Sequence, residues 1–286
     1  MLPSYLLSLR EGLEAALIIG IVLGALGKIR RVDLAPALWF GALAAVGASI
    51  LTAILLTLFG LSLDGPAEKI YEGVTMFLAA GILTWMIFWM SKQAQNLKGE
   101  LEDGVNKAAA GYATGRRAIF WLAFVAVARE GVELSLFITA AFFVGNNENV
   151  GLNTVQTLAG VVLGLGTAIL LGWSLLASTV RLDLRRFFQI TGILLILFAA
   201  GLVAHGVHEF NEINWIPAVV DHVWDVNVFV DENSIIGELL KTLFGYNGNP
   251  SLSEMLGYFG YLATVIFFFT RATATTHEVK AAQPQS

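Results

Sequence analysis

Apolar residues gather in seven long segments, at about 4–27, 36–60, 68–91, 117–144, 154–179, 186–209 and 254–270. A helix crossing a bilayer needs about 20 mostly apolar residues, and each segment is read as one such helix. The predicted fold is all-α, a polytopic membrane helical bundle. Residues 1–270 are expected to make a single transmembrane domain, followed by a polar, disordered tail at 271–286. Small residues recur inside the segments, as in Gly20-x-x-x-Gly24 and Gly160-x-x-x-Gly164, and such residues let helices approach closely in lipid. The connection at 210–253 carries Ile235-Ile236, Leu239-Leu240 and Leu243-Phe244 at helical spacing, interrupted by charges. It is expected to hold an amphipathic helix lying on the membrane surface, not an eighth span. The first segment has no basic residue ahead of it and contains Arg10, Glu11 and Glu14, so it reads as a permanent span and not a cleaved signal peptide.

Composition narrows the solvent. Of 286 residues 56% are apolar and 14% charged, against roughly 25% charged in a soluble domain. Mean hydropathy is +0.71. The absence of cysteine excludes disulfides and thiolate metal sites. A net charge of −5 argues against nucleic acid as a partner. The basic residues are unevenly placed. Lys28, Arg30 and Arg31; Lys92, Lys98, Lys107, Arg116 and Arg117; Arg181, Arg185 and Arg186; and Arg271 and Lys280 all fall on one side of the predicted topology. The other side has only Lys69 and Lys241, and its last connection is rich in Asp and Glu. By the positive-inside rule the N-terminus is outside, the 210–253 connection external and the C-terminus cytoplasmic.

Charge inside the spans is the informative exception. The first segment carries Arg10-Glu11-Gly12-Leu13-Glu14 and the fourth carries Arg129-Glu130-Gly131-Val132-Glu133. The two lie three spans apart and so enter from opposite sides. Segments 1–3 and 4–6 therefore read as an inverted repeat, with segment 7 outside it, a plan that places transport sites at the repeat interface. At about 100° per residue, each motif turns one Arg and two carboxylates toward one side of its helix. Charges at this depth are tolerated when they face one another or water. If both faces meet, four carboxylates and two guanidinium groups converge with net negative charge. Carboxylate oxygens suit hard cations in octahedral surroundings, and arginines can hold them when no cation is bound. The competing reading is a set of inert ion pairs that fix helix register, although buried pairs are poor sources of stability.

A second constellation lies at the other end of segment 6, where His205, His208, Glu209 and Glu212 share a helical stripe; Glu68 and Glu72 begin segment 3 at the same level. Histidine with carboxylate suits a transition metal, which would make these residues an outer capture site. An ordinary polar helix end explains them equally well. Trp85, Phe88 and Trp89, with Met86 and Met90, read as an interfacial aromatic belt with core packing.

The doubled Arg-Glu-x-x-Glu in spans 1 and 4 of a seven-span chain resembles the high-affinity iron permease family, the oxidase-dependent iron transporters. Tyr71-Glu72-Gly73, Ile82-Leu83-Thr84-Trp85-Met86, Ala126-Val127-Ala128-Arg129-Glu130-Gly131 and Ala199-Ala200-Gly201-Leu202 resemble its bacterial members. The likeness runs through nearly all of residues 1–270. It implies a transporter without catalytic residues or a cofactor. Its metal ligands would be Glu11, Glu14, Glu130 and Glu133, held by Arg10 and Arg129. It further implies a bacterial inner-membrane location and an extracytoplasmic partner that oxidises or delivers iron. The hard ligand set favours Fe3+ over Fe2+ as the imported ion. Two other classes compete. A membrane di-iron oxidoreductase would pair Glu with His at i, i+3, and neither motif contains His. A proton-coupled carrier of another cation or small solute is compatible with intramembrane carboxylates.

Overall fold

The computed structural model describes residues 1–93, 99, 103–105, 115–144, 150–177, 184–220, 223–226, 237, 240 and 244–281. Among them are seven long helices: α1 (Leu2–Lys28), α2 (Ala35–Leu61), α3 (Pro66–Gln93), α4 (Gly115–Val144), α5 (Val150–Ala177), α6 (Leu184–Glu212) and α7 (Leu252–Ala281). Within the described residues they coincide with the seven apolar segments, and the described residues contain no strand. Four helical stretches, Val32–Leu61, Pro66–Trp89, Thr154–Ser174 and Ile190–Glu212, are long, apolar and charge-poor enough to cross a membrane, and α7 opens with a shorter apolar stretch, Leu252–Phe268. In α1 and α4 the motif charges interrupt every long apolar window.

Helix boundaries follow local chemistry. Proline stands in the first turn of α1 and of α2 and is the first residue of α3, where its missing N–H is not needed. At the end of α1, Arg30 takes the left-handed φ of 56°. The Arg31 N–H reaches back to the Leu26 carbonyl at 2.9 Å and the Arg30 N–H to that of Gly27 at 3.1 Å. These two bonds close the helix in a Schellman motif. The tail departs from expectation. No glycine or proline stands between Arg271 and Ala281, and α7 continues as helix to Ala281 in place of the disordered chain predicted after Arg271. Arg271 starts this extension with its guanidinium 4.5 Å from the Phe267 ring, one turn back. The amphipathic helix expected in 210–253 falls largely outside the described residues. Gly237, Leu240 and Phe244 within it are helical, and the stretches 213–220, 223–226 and 245–250 are irregular and fold back on themselves: the Val226 N–H bonds the Gly248 carbonyl, Val223 that of Pro250, and Leu252 that of Val220.

The chain forms two compact units, Met1–Tyr71 with Ser91–Thr191, and Glu72–Met90 with Gly192–Ser286. In the first, α1 packs on α5 and α4, and α2 packs on α4. Its core joins Val22, Leu26, Leu38, Ile119 and Ala123. The outer faces are apolar too: Phe40, Leu43, Leu55 and Phe59 of α2 and Val162, Leu170 and Trp173 of α5 are all exposed. So large an exposed apolar surface fits lipid as its solvent.

Contacts in this unit recur at a constant chain spacing, the one that separates Arg10 from Arg129. A Cβ at Gly41 would strike the Phe120 carbonyl and Ala123 Cβ. At that spacing after Gly41, a Cβ at Gly160 would strike the carbonyl of Met1 and Cβ of Ser4, which lie the same spacing before Phe120 and Ala123. Gly164 abuts Tyr5 and Ser8. The small-residue motif at Gly160 and Gly164 is thus a seam for close approach of α5 to α1, whereas Gly24 faces open space.

In the second unit, Phe77 stacks on Phe210 with centroids 5.7 Å apart, and Thr84 shares a 2.6 Å hydrogen bond with Tyr261. Met86 is buried while Trp85 is exposed and stacks on Trp89, in keeping with core packing beside an aromatic belt.

Candidate functional site

The glycine inside each motif is a packing residue. A Cβ at Gly12 would lie 2.9 Å from both Ala168 Cβ and Leu165 Cδ2 of α5. In the second motif, a Cβ at Gly131 would collide with Ser49 Oγ of α2 and come within 2.6 Å of Ser49 Cβ. Ser49 cannot turn aside freely. Its hydroxyl donates to the Ala45 carbonyl at 2.8 Å, and its own carbonyl accepts from Ser135 Oγ at 2.9 Å. Each motif is therefore pressed by its glycine against a neighbouring helix, α1 against α5 and α4 against α2, and this fixes how the charged residues on the same helix turn are aimed.

Those residues converge. Oxygens of Glu11, Glu14 and Glu130 all lie within 4.8 Å of one another. Glu11 and Glu130 are buried, 1% and 5% exposed. Arg10, also buried, places Nε 3.4 Å from Glu14 Oε1. On α4, Arg129 Nε donates to Glu133 Oε1 at 3.0 Å and lies 4.0 Å from Glu130 Oε1. Of the four motif carboxylates three thus form the tight group. Glu133 is held against its own arginine.

The electrostatics of the group are unbalanced. Among the described residues no N–H group donates to either oxygen of Glu11, to Glu130 Oε2 or to Glu133 Oε2. A buried carboxylate without a donor is costly, and a donor-poor cluster repels itself unless protons or a cation lie among its members. Ligand oxygens around one small octahedral ion, bound at about 2.0–2.1 Å, are about 3–4 Å apart. The three carboxylates, within 4.8 Å of one another, lie near enough for side-chain rotation to bring their oxygens to that spacing. Each arginine pairs with a carboxylate of its own helix, and carboxylates from the two helices also face one another.

The second constellation divides. His205 directs Nδ1 to the Gly201 carbonyl of its own helix, 3.0 Å away. His208 instead lies between two carboxylates, with Nε2 3.3 Å from Glu212 and Nδ1 3.0 Å from Glu254. Glu209 and Glu72 are buried, while Glu68 is half-buried. Sequence reasoning missed Glu254. It stands three positions after Ser251 at the start of α7, and the Ser-x-x-Glu spacing of a capping box was the available signal. The Ser251 hydroxyl donates to Glu254 Oε1 at 2.9 Å.

Comparison with known proteins gives a consistent picture. The profile of the Iron permease FTR1 family matches residues 1–280. A protein of Escherichia coli O6:K15:H31 (strain 536 / UPEC) named ferrous iron permease EfeU is 34% identical over 278 residues, 96% of this chain and 98% of that protein. Its namesake in Yersinia pestis is 31% identical over 285 residues, 99% of each chain. No solved structure matches the chain.

Proposed function

The chain belongs to the Iron permease FTR1 family, and from that membership we propose that it imports iron through the carboxylate group shared by α1 and α4. It is a multi-pass membrane protein, with several helices apolar enough to span a bilayer. The observation that carries the reading is the approach of Glu11, Glu14 and Glu130, two motifs distant in sequence, to within 4.8 Å. Arg10 and Arg129 hold the carboxylates when no ion is present. An entering cation displaces these contacts and takes the oxygens as ligands. Net negative charge attracts the ion, and the two guanidinium groups keep it from binding irreversibly. The Arg129 side chain is 38% exposed and that of Arg10 is 2% exposed. This asymmetry supports a site open from the Arg129 side in the conformation described.

Seven spans with segments 1–3 and 4–6 as inverted halves is the arrangement we favour. The reciprocal packing of α1 on α5 and α2 on α4, with contacts recurring at one chain spacing, supports it. The distribution of Lys and Arg supports an external N-terminus and a cytoplasmic 92–116 connection in a bacterial inner membrane. A cysteine placed at Asn106 of this cysteine-free chain should resist an impermeant thiol reagent in intact cells, and one at Asn233 should react. Labelling at Asn106 would reverse the orientation.

The all-oxygen ligand set favours Fe3+, and an extracytoplasmic oxidising or delivering protein would supply it. Fe2+ is the second reading, favoured by the names of the relatives. Proteoliposomes holding the purified chain should accumulate radiolabelled iron above protein-free vesicles. Keeping the iron reduced with ascorbate should suppress that uptake if Fe3+ crosses and leave it intact if Fe2+ does. Vesicles that accumulate neither would remove the permease reading.

A further inference from the structure

His208 stands between two carboxylates of different character. Glu254 is buried, its side chain 6% exposed, and it is fixed by several donors. Its Oε2 accepts from Asn247 Nδ2 at 2.7 Å, and its Oε1 accepts from the Ser251 hydroxyl at 2.9 Å. Glu212 is 45% exposed and lies one turn after His208 on α6, whose ring is 41% exposed. An ionised carboxylate only accepts hydrogen bonds, so the 3.0 Å contact to Glu254 puts a ring proton on Nδ1. Nε2 faces Glu212 Oε1, 3.3 Å away. A proton on Nε2, or a metal ion in its place, bridges this nitrogen and the carboxylate.

The separation suits a metal. Nitrogen and oxygen ligands bound at about 2.0–2.2 Å to one tetrahedral or octahedral ion are about 3 to 3.5 Å apart. His and Glu at i, i+4 project from one helix face and can close a chelate without moving the backbone. A metal-bound histidine almost always donates its other N–H to a carboxylate, which fixes the tautomer and strengthens the ligand. Glu254 occupies that position. We propose that His208 and Glu212 form a second metal site, a surface chelate for a borderline divalent ion such as Fe2+, and that Glu254 is its positioning residue. Imidazole nitrogen with one carboxylate distinguishes it from the carboxylates of α1 and α4 and selects a softer ion. His205, turned to its own helix backbone, takes no part. The site rests on the permease reading only for iron as its natural occupant, because binding is independent of transport.

The test uses the full-length protein in detergent with Glu14→Gln and Glu133→Gln, which silence the motif carboxylates, and Co2+ as the probe. Equilibrium dialysis should find one Co2+ per chain. His208→Gln should abolish it. Glu212→Gln, a change at an exposed residue that leaves the fold intact, should weaken it at least about 10-fold. Glu254→Gln keeps the side-chain shape and should weaken binding about 10–100-fold, the usual effect of removing a carboxylate behind a ligating histidine. A loosening of the same helix start should not imitate this. Asn211→Ala removes contacts to Ser251 and Ser253 without touching His208, and it should leave Co2+ affinity unchanged. Two results would overturn the proposal: no Co2+ bound in the silenced protein, or equal affinity with and without Glu212→Gln. Either leaves the motif site untouched, and loss of transport in the motif variants leaves this site untouched.

Discussion

Glu14→Gln and Glu133→Gln should each nearly abolish iron uptake although the protein still inserts, and the double variant should be scarcely worse than either alone. Glu14 is one of three carboxylates within 4.8 Å, and its removal takes away a ligand and releases Arg10 from its 3.4 Å contact. Glu133 lies beside the group, bonded to Arg129 at 3.0 Å. Neutralising it frees Arg129 to pair with Glu130, 4.0 Å away, which withdraws a ligand from the ion. Each change thus removes negative charge and frees an arginine beside the remaining carboxylates, which opposes cation binding. Residues serving one ion lose function together, so their effects should not add. Arg129→Lys should also fail, because an ammonium cannot span Glu130 and Glu133 with a planar fork. Initial rates of iron uptake, normalised to protein in the membrane, measure each variant. Substantial transport in both single variants, with losses that multiply in the double one, would make the motifs separate structural pairs.

Gly131→Ala should lower both stability and uptake, and Ser49→Gly should restore most of the loss. The added Cβ collides with Ser49 Oγ and crowds Ser49 Cβ, and Ser49 is pinned by the Ala45 carbonyl and the Ser135 hydroxyl. Helix α4 must then move away from α2 and carry Glu130 and Glu133 with it. Overpacking of this kind costs about 1–3 kcal/mol. Removing the Ser49 side chain clears the space without altering any charge. Gly24→Ala and Gly166→Ala, whose new methyl groups meet nothing within 4 Å, should be neutral. Thermal unfolding of the detergent-solubilised variants reads the effect. A Gly131→Ala protein as stable and active as wild type would show that the close approach of α2 and α4 does not set the site.

The helices were legible because each apolar segment is long and bounded by prolines, glycines or basic residues, as at Gly65-Pro66 or Lys28 to Arg31. The motifs were legible because six charges in two apolar segments have no explanation on a lipid-facing surface. Which carboxylates meet was not legible. A helical wheel treats Glu130 and Glu133 alike, and only the packing of α4 separates the clustered Glu130 from the arginine-bound Glu133. The role of the motif glycines was equally hidden, since Gly12 and Gly131 acquire partners only when α5 and α2 are in place. The capping-box spacing from Ser251 marks Glu254 only as a helix start; its pairing with His208, 46 positions away, lies beyond any local pattern. The helix after Arg271 was read as disordered from its polarity, although its Ala, Glu and Lys content and lack of helix breakers favour continuation.

If the motifs of α1 and α4 hold one ion between them, the iron content of the purified protein carrying His208→Gln, in which only the motif site is counted, must show it. The expected result is one iron per chain, lost completely on adding either Glu14→Gln or Glu133→Gln. Retention of the full iron complement after either change, or of half of it after each, would contradict a shared site.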